Sequence, residues 1–168
     1  MKNKAEIYIL IVEDEAGVLS AIVRDMEYFE EQFPIEMTES VEEARDVVKN
    51  ILDHNGQLGL VICDHILPGT HGADFLVELQ NDEKTAKAMN VLLTGQAGLD
   101  ETIKAINEGG LKHFIAKPWD KDELINISIK LLTDYVIQNE NDLLPYMKLL
   151  DQERIAAELH KGSRLSDR

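Results

Sequence analysis

Ile7-Tyr8-Ile9-Leu10-Ile11-Val12, followed at once by Glu13-Asp14-Glu15, is the stretch on which the fold turns. Six consecutive apolar residues, three of them β-branched isoleucine and one valine, show no polar alternation. A strand reads that way when both of its faces are covered, as in a parallel sheet. The acidic triplet then ends it abruptly.

Working outward, the same signature returns at residues 58–63, which end on Asp64, and at Val91-Leu92-Leu93-Thr94 and His113-Phe114-Ile115-Ala116. A shorter strand fits residues 35–38. Between these runs the apolar residues recur at helical spacing. Leu19, Ile22, Val23, Met26 and Phe29 form one stripe, in a helix that Pro34 closes. Ser40-Val41-Glu42-Glu43 is a capping box for a second helix whose inner face is Ala44, Val47, Val48 and Ile51. Phe75, Leu76 and Leu79 mark a third, after a loop punctuated by Pro68-Gly69 and Gly72. Ile103 and Ile106 mark a fourth, stopping at Gly109-Gly110. Asp120 with Glu123 caps a fifth. Five strands alternating with five helices predict an α/β fold, a five-stranded parallel sheet wound on both faces.

In such sheets ligands bind beyond the carboxyl ends of the strands. The first strand delivers Glu13 and Asp14 there, the third Asp64, the fourth Thr94 and the fifth Lys117. Clustered carboxylates raise one another's pKa unless a cation neutralises them. Hard oxygen ligands, few in number, suit Mg²⁺ with retained waters. Phosphoryl transfer asks for charge neutralisation and in-line positioning, which this set supplies. A metal and Lys117 would take two phosphoryl oxygens, the Thr94 hydroxyl could donate to a third, and the Asp64 carboxylate fits the role of nucleophile. Any one of these residues alone is an ordinary cap or turn former. Their joint placement at four strand ends carries the reading.

The residues at these positions resemble the receiver domain of bacterial response regulators, with a chemotaxis-regulator-like fold. The carriers are Ile9-Leu10-Ile11-Val12-Glu13-Asp14-Glu15, the segment from Asp64 through Pro68 to Gly72, Leu92-Leu93-Thr94-Gly95, and Ala105-Ile106-Asn107-Glu108-Gly109-Gly110 with Phe114-Ile115-Ala116-Lys117-Pro118. The resemblance covers about residues 5–137. It implies a flavodoxin-like sheet of order 2-1-3-4-5. It implies that Asp64 is phosphorylated by a sensor histidine kinase, a phosphotransfer protein or a small phosphodonor. Asp14 would bind Mg²⁺ (or Mn²⁺) directly and Glu13 through water, with Asp64 and the main-chain carbonyl of Ile66 completing the set. Thr94 and Phe114 would move together as the switch, Lys117 would pair with the phosphoryl group, and the Lys117-Pro118 bond would be cis. Glu13 stands where aspartate is commoner. Ile66 and Gln96 occupy positions that tune phosphoryl lifetime in the family. His65 and His71 flank the acceptor loop; they could act as titratable gates, but solvent-exposed loop histidines are more often inert.

Residues 1–137 are expected to form the receiver domain and 138–168 a C-terminal helical extension. Asp142 caps a helix with Pro145 in its first turn, an apolar stripe of Leu143, Met147, Leu150 and Leu159, and Gly162 at its end. The preceding helix carries one apolar face at Leu124, Ile127 and Leu131 and another at Ile125, Ile129, Leu132 and Val136. The second face wants a partner, either the folded-back extension or a second copy of the chain. The near-heptad spacing from Ile129 to Leu150 favours a homodimer through residues 120–160.

Composition bounds the function. There are 17 basic and 32 acidic residues, a net charge of −15, which would repel a phosphate backbone. The single cysteine, Cys63, excludes an internal disulfide and suits a reducing, cytoplasmic compartment. No apolar run approaches the roughly 20 residues of a membrane helix. Output is therefore expected through protein contacts on the fourth and fifth predicted helices, without a DNA-binding module. An aspartate-nucleophile phosphatase would need an acid at Ile66. A flavin module would need a phosphate-binding loop where Glu13-Asp14-Glu15 stands. The segment Lys117-Pro118-Trp119-Asp120 also resembles receivers fused in hybrid kinases or enzyme-output regulators.

Overall fold

The computed structural model describes residues 5–95 and 113–166 of the chain, with side chains to residue 162. Strands β1 (Ile7–Val12), β2 (Ile35–Thr38), β3 (Gln57–Asp64), β4 (Met89–Thr94) and β5 (His113–Ala116) form one sheet. Its order is β2-β1-β3-β4-β5, the expected 2-1-3-4-5, and every pairing is parallel. The helices are α1 (Ala16–Asp25), α2 (Val41–Asp53), α3 (Gly72–Asn81), α4 (Lys121–Asn139) and α5 (Gln152–Ser166). The fourth predicted helix, with Ile103, Ile106 and Gly109-Gly110, lies outside the described residues, as does Gln96. Among the described residues no helix is long and apolar enough to cross a membrane.

The unbroken apolar runs serve two cores, because successive side chains of a strand point to opposite faces. Ile7, Ile9 and Ile11 of β1 join Leu60 and Ile62 of β3 and Val91 and Leu93 of β4 beneath α1 and α4. Leu10, Val12, Val61, Cys63 and Leu92 face the other way, with Ala44 and Val48 of α2 and Phe75, Leu76 and Leu79 of α3.

Helix ends depart from expectation where local hydrogen bonding wins. Helix α1 stops at Asp25, well before Pro34, because the Met26 amide is shared between Ile22 and Val23 carbonyls and the chain tightens into a 3₁₀ turn, Glu27–Phe29. Met26 and Phe29 remain buried across the break. Ser40 caps α2, its Oγ accepting the Glu43 amide at 3.1 Å. The Glu43 carboxylate accepts the Glu39 amide, one residue earlier than the capping box predicts. Asp120 caps α4 by accepting the Asp122 amide.

The largest correction concerns the C-terminal extension. Asp142 accepts the Leu144 amide, but only a single 3₁₀ turn, Leu144–Tyr146, follows. The long helix begins later, at Gln152, with Asp151 Oδ1 accepting the Arg154 amide. Gly162 lies inside α5, since an exposed glycine weakens a helix without terminating it. Leu143, Tyr146, Leu150 and Ile155 are buried in the same apolar cluster as Leu131, Leu132 and Val136 of α4. Of the two partners weighed for the second apolar side of α4, the chain's own extension is the one that packs against this helix. Tyr146 stacks on Phe33 with centroids 5.8 Å apart, and the Tyr28 hydroxyl donates to the Leu149 carbonyl. Thr133 Oγ1 accepts the Asp151 amide and donates to the Ile129 carbonyl. Leu132, expected on the outer face, lies over Gly59 of β3 with Tyr135. A β-carbon at Gly59 would sit 2.4 Å from Ile7 Cγ2, so glycine there lets β1 approach beneath the helix.

Candidate functional site

The acidic residues arrive at the carboxyl edge by strand geometry alone. β1 and β3 are neighbours, with Val12 paired to Cys63, so Glu13, Asp14 and Asp64 emerge side by side. Carboxylate oxygens of the three lie within 4.8 Å of one another. Glu13 is 0% exposed, Asp64 is buried and Asp14 is open to solvent. At the end of β5 the chain turns through a cis Lys117-Pro118 bond, as expected, and the Lys117 amide donates to the Thr94 carbonyl at 2.9 Å. That places Lys117 Nζ 2.7 Å from Glu13 Oε2 and 3.2 Å from Asp64 Oδ2. The Glu15 amide donates to the other Glu13 oxygen at 3.1 Å.

These contacts set the electrostatics. Burial pushes the Glu13 carboxyl above the ordinary range; hydrogen bonds from Lys117 and the Glu15 amide oppose it, and the charge of Asp64 adds to the rise. Burial pulls the Lys117 ammonium down, but its bond to Glu13 and the charges of Asp64 and Glu13 prevail, leaving it above its usual value. Cys63 is wholly buried, its thiol pushed up by burial and then by the charge of Asp64, so it behaves as a small core residue.

Thr94 is buried, with Oγ1 donating to the Gly95 carbonyl at 2.9 Å. Phe114 is 44% exposed and Ile66 is 54% exposed. Both side chains lie outside the apolar cores. Gly72 at the start of α3 is required by proximity, because a β-carbon there would lie 1.9 Å from the Asp64 carbonyl oxygen. The first turn of α3 is thus seated on the main chain of Asp64.

One residue contradicts its sequence reading. His65 is only 1% exposed and stacks on His71, with ring centroids 5.2 Å apart. A polar ring just past a strand end looks like loop surface; the cue that it turns inward is its position between strand-end Asp64 and Leu67, itself buried. His71 is exposed, as expected.

A family model of the response regulator receiver domain matches residues 9–128. The hydrogenase transcriptional regulatory protein HoxA of Cupriavidus necator is 28% identical over 118 residues, covering 70% of this chain and 22% of that protein. The response regulator Rre1 of a Synechocystis species is 30% identical over 126 residues, covering 75% of this chain and 52% of that protein. The chain thus spans from about a fifth to about half the length of these curated relatives. Among solved structures, the signal receiver domain of an HD domain-containing protein from Pseudomonas fluorescens superposes with a TM-score of 0.71 at 22% identity, over 84% of this chain and 98% of that one. A CheY-like receiver domain protein from Methanospirillum hungatei gives 0.68 at 21% identity, over 80% and 100%. Both share the fold.

Proposed function

The chain belongs to the response regulator receiver family, and from that premise we propose that Asp64 accepts a phosphoryl group and that the surrounding residues read its arrival. The observation that carries this reading is the ammonium of Lys117 lying between two buried carboxylates, Glu13 and Asp64, with Asp14 beside them. An Asp64 oxygen attacks the phosphorus of a phosphohistidine or a small phosphodonor. A P–O bond forms as the bond to the donor breaks, and the product is an acyl phosphate.

The donor set fits a hard divalent cation, because three carboxylates converge within 4.8 Å and oxygen ligands of this kind suit Mg²⁺, with Mn²⁺ as a substitute. Glu13, Asp14, Asp64 and the Ile66 main-chain carbonyl would hold it. When bound it would offset carboxylate repulsion and the charge of the phosphoryl oxygens. Lys117 is already within reach of Asp64 and can transfer its contact to a phosphoryl oxygen. The Thr94 hydroxyl can rotate from the Gly95 carbonyl to donate to another, and the exposed ring of Phe114 can turn inward behind it. That coupled movement is the two-state element that phosphorylation biases. Chemistry is confined to the domain's own phosphorylation and hydrolysis; the role is signalling.

A sensor kinase or phosphotransfer protein supplies the phosphoryl group, and a downstream protein docks near Phe114 and α4. The strong negative charge of the chain argues against a nucleic-acid target. Incubation with acetyl phosphate and Mg²⁺ is expected to add about 80 Da to the intact chain, one phosphoryl group. Asp64→Asn should take up none, and uptake by that variant at the wild-type rate would overturn the assignment.

A further inference from the structure

The acceptor loop is bracketed by one residue whose side chain the proposed chemistry does not use. His65 follows Asp64 directly. Its amide donates to the Leu93 carbonyl of β4 at 3.2 Å, and its carbonyl accepts the Gly72 amide at 2.9 Å. Its ring nitrogen Nδ1 accepts the Ala73 amide at 3.3 Å, and the ring stacks on His71. Gly72 and Ala73 are the first two residues of α3, whose opening amides have no partner within the helix. His71, at the N-cap position, makes no side-chain capping bond. The imidazole of His65 therefore supplies from the preceding strand end what an N-cap side chain ordinarily supplies. An Nδ1 that accepts is unprotonated, so the ring meets the positive end of the helix with a lone pair.

We propose that His65 is a positioning residue: its buried imidazole caps α3 from the strand end and so fixes the loop, residues 66–71, whose first member presents the Ile66 carbonyl to the phosphoacceptor site. The proposal rests on the reading of Asp64 and its neighbours as that site. The effect runs through geometry. Asp64 and the start of α3 are already in close approach at Gly72, and the His65 ring adds a second tie at the next residue of the helix. Groups that orient a metal ligand without touching the metal typically change affinity by 10–100-fold.

Two variants separate the acceptor atom from the volume. His65→Asn places an amide oxygen near the position of Nδ1; His65→Phe fills the space but offers no acceptor and strands the Ala73 amide. The first measurement is amide hydrogen exchange at Ala73, read alongside thermal unfolding. In His65→Phe that amide should lose protection while the central strands keep theirs; in His65→Asn it should stay protected. The second is Mg²⁺ affinity by titration calorimetry, expected to fall about tenfold in His65→Phe and to be recovered by His65→Asn. Wild-type protection and affinity in His65→Phe would overturn the proposal, and so would equal impairment in both variants. Wild-type protein that binds Mg²⁺ but takes no phosphoryl group would instead overturn the reading of Asp64 and leave the exchange test of His65 standing.

Discussion

The carboxyl edge of the sheet and the C-terminal extension bury their polar groups by opposite strategies. At the edge, the carboxyl groups of Glu13 and Asp64 are buried and share a single ammonium. Burying ions carries a desolvation penalty that pairing only partly offsets, so the edge contributes chemistry at the expense of stability. In the extension the buried groups are neutral: the Tyr146 ring and the side chains of Leu143, Leu150 and Ile155, with the Thr133 hydroxyl of α4 beneath them. Its charges, such as Arg154 with Asp134 and Lys148 with Glu31, sit at the partly exposed or exposed margin. Apolar burial of this kind stabilises without demanding reactivity. One region is poised and the other is a brace.

That contrast can be broken by substitution, and the effects should fall in order. Ile155→Ala, at a fully buried position of the brace, is expected to lower the unfolding free energy by about 3 kcal/mol while leaving acetyl phosphate uptake unchanged. Urea denaturation and intact-mass measurement on the same sample check both halves; loss of uptake in a folded variant would mean that the two regions are coupled. Lys117→Met leaves Glu13 buried beside Asp64, with the Glu15 amide as its remaining described partner. The cost should be about 2 kcal/mol, below that of breaking a wholly buried pair, because Glu13 can take up a proton. Unlike the first variant, this one should also lose most phosphoryl uptake. Arg154→Ala removes a marginal ion pair and should cost less than about 1 kcal/mol, with the difference shrinking in high salt. A larger, salt-insensitive loss would show that Arg154 acts as packing.

The polar residues at the strand ends were legible because parallel strands advertise themselves. Residues buried on both faces form unbroken apolar runs, and whatever follows such a run stands at the sheet edge. Glu13, Asp14, Asp64, Thr94 and Lys117 were placed in that way, and the structure brings them to one edge, with Glu13, Asp64 and Lys117 in mutual contact. Phe114 was legible only through resemblance, since nothing in its local pattern marks it. His65 was misread because burial of a polar ring depends on whether a partner awaits it. That partner, the Ala73 amide, is eight residues away in sequence.

The extension shows the same boundary from the other side. Helical spacing in α4 records that more than one face is apolar, but spacing carries no information about which chain covers them. A heptad-like stripe and a folded-back hairpin demand the same residues locally. What distinguishes them here is distant: Phe33 beneath Tyr146, and Tyr28 bonded to the carbonyl of Leu149. The sequence by itself determined the strand and helix types, the parallel sheet and the set of residues at its carboxyl edge, because these follow from periodicity and local chemistry. Tertiary structure alone decided which face the extension covers, that Leu132 lies over Gly59, and that His65 turns inward to cap α3. Those outcomes depend on contacts between segments far apart in the chain, and no local pattern encodes them.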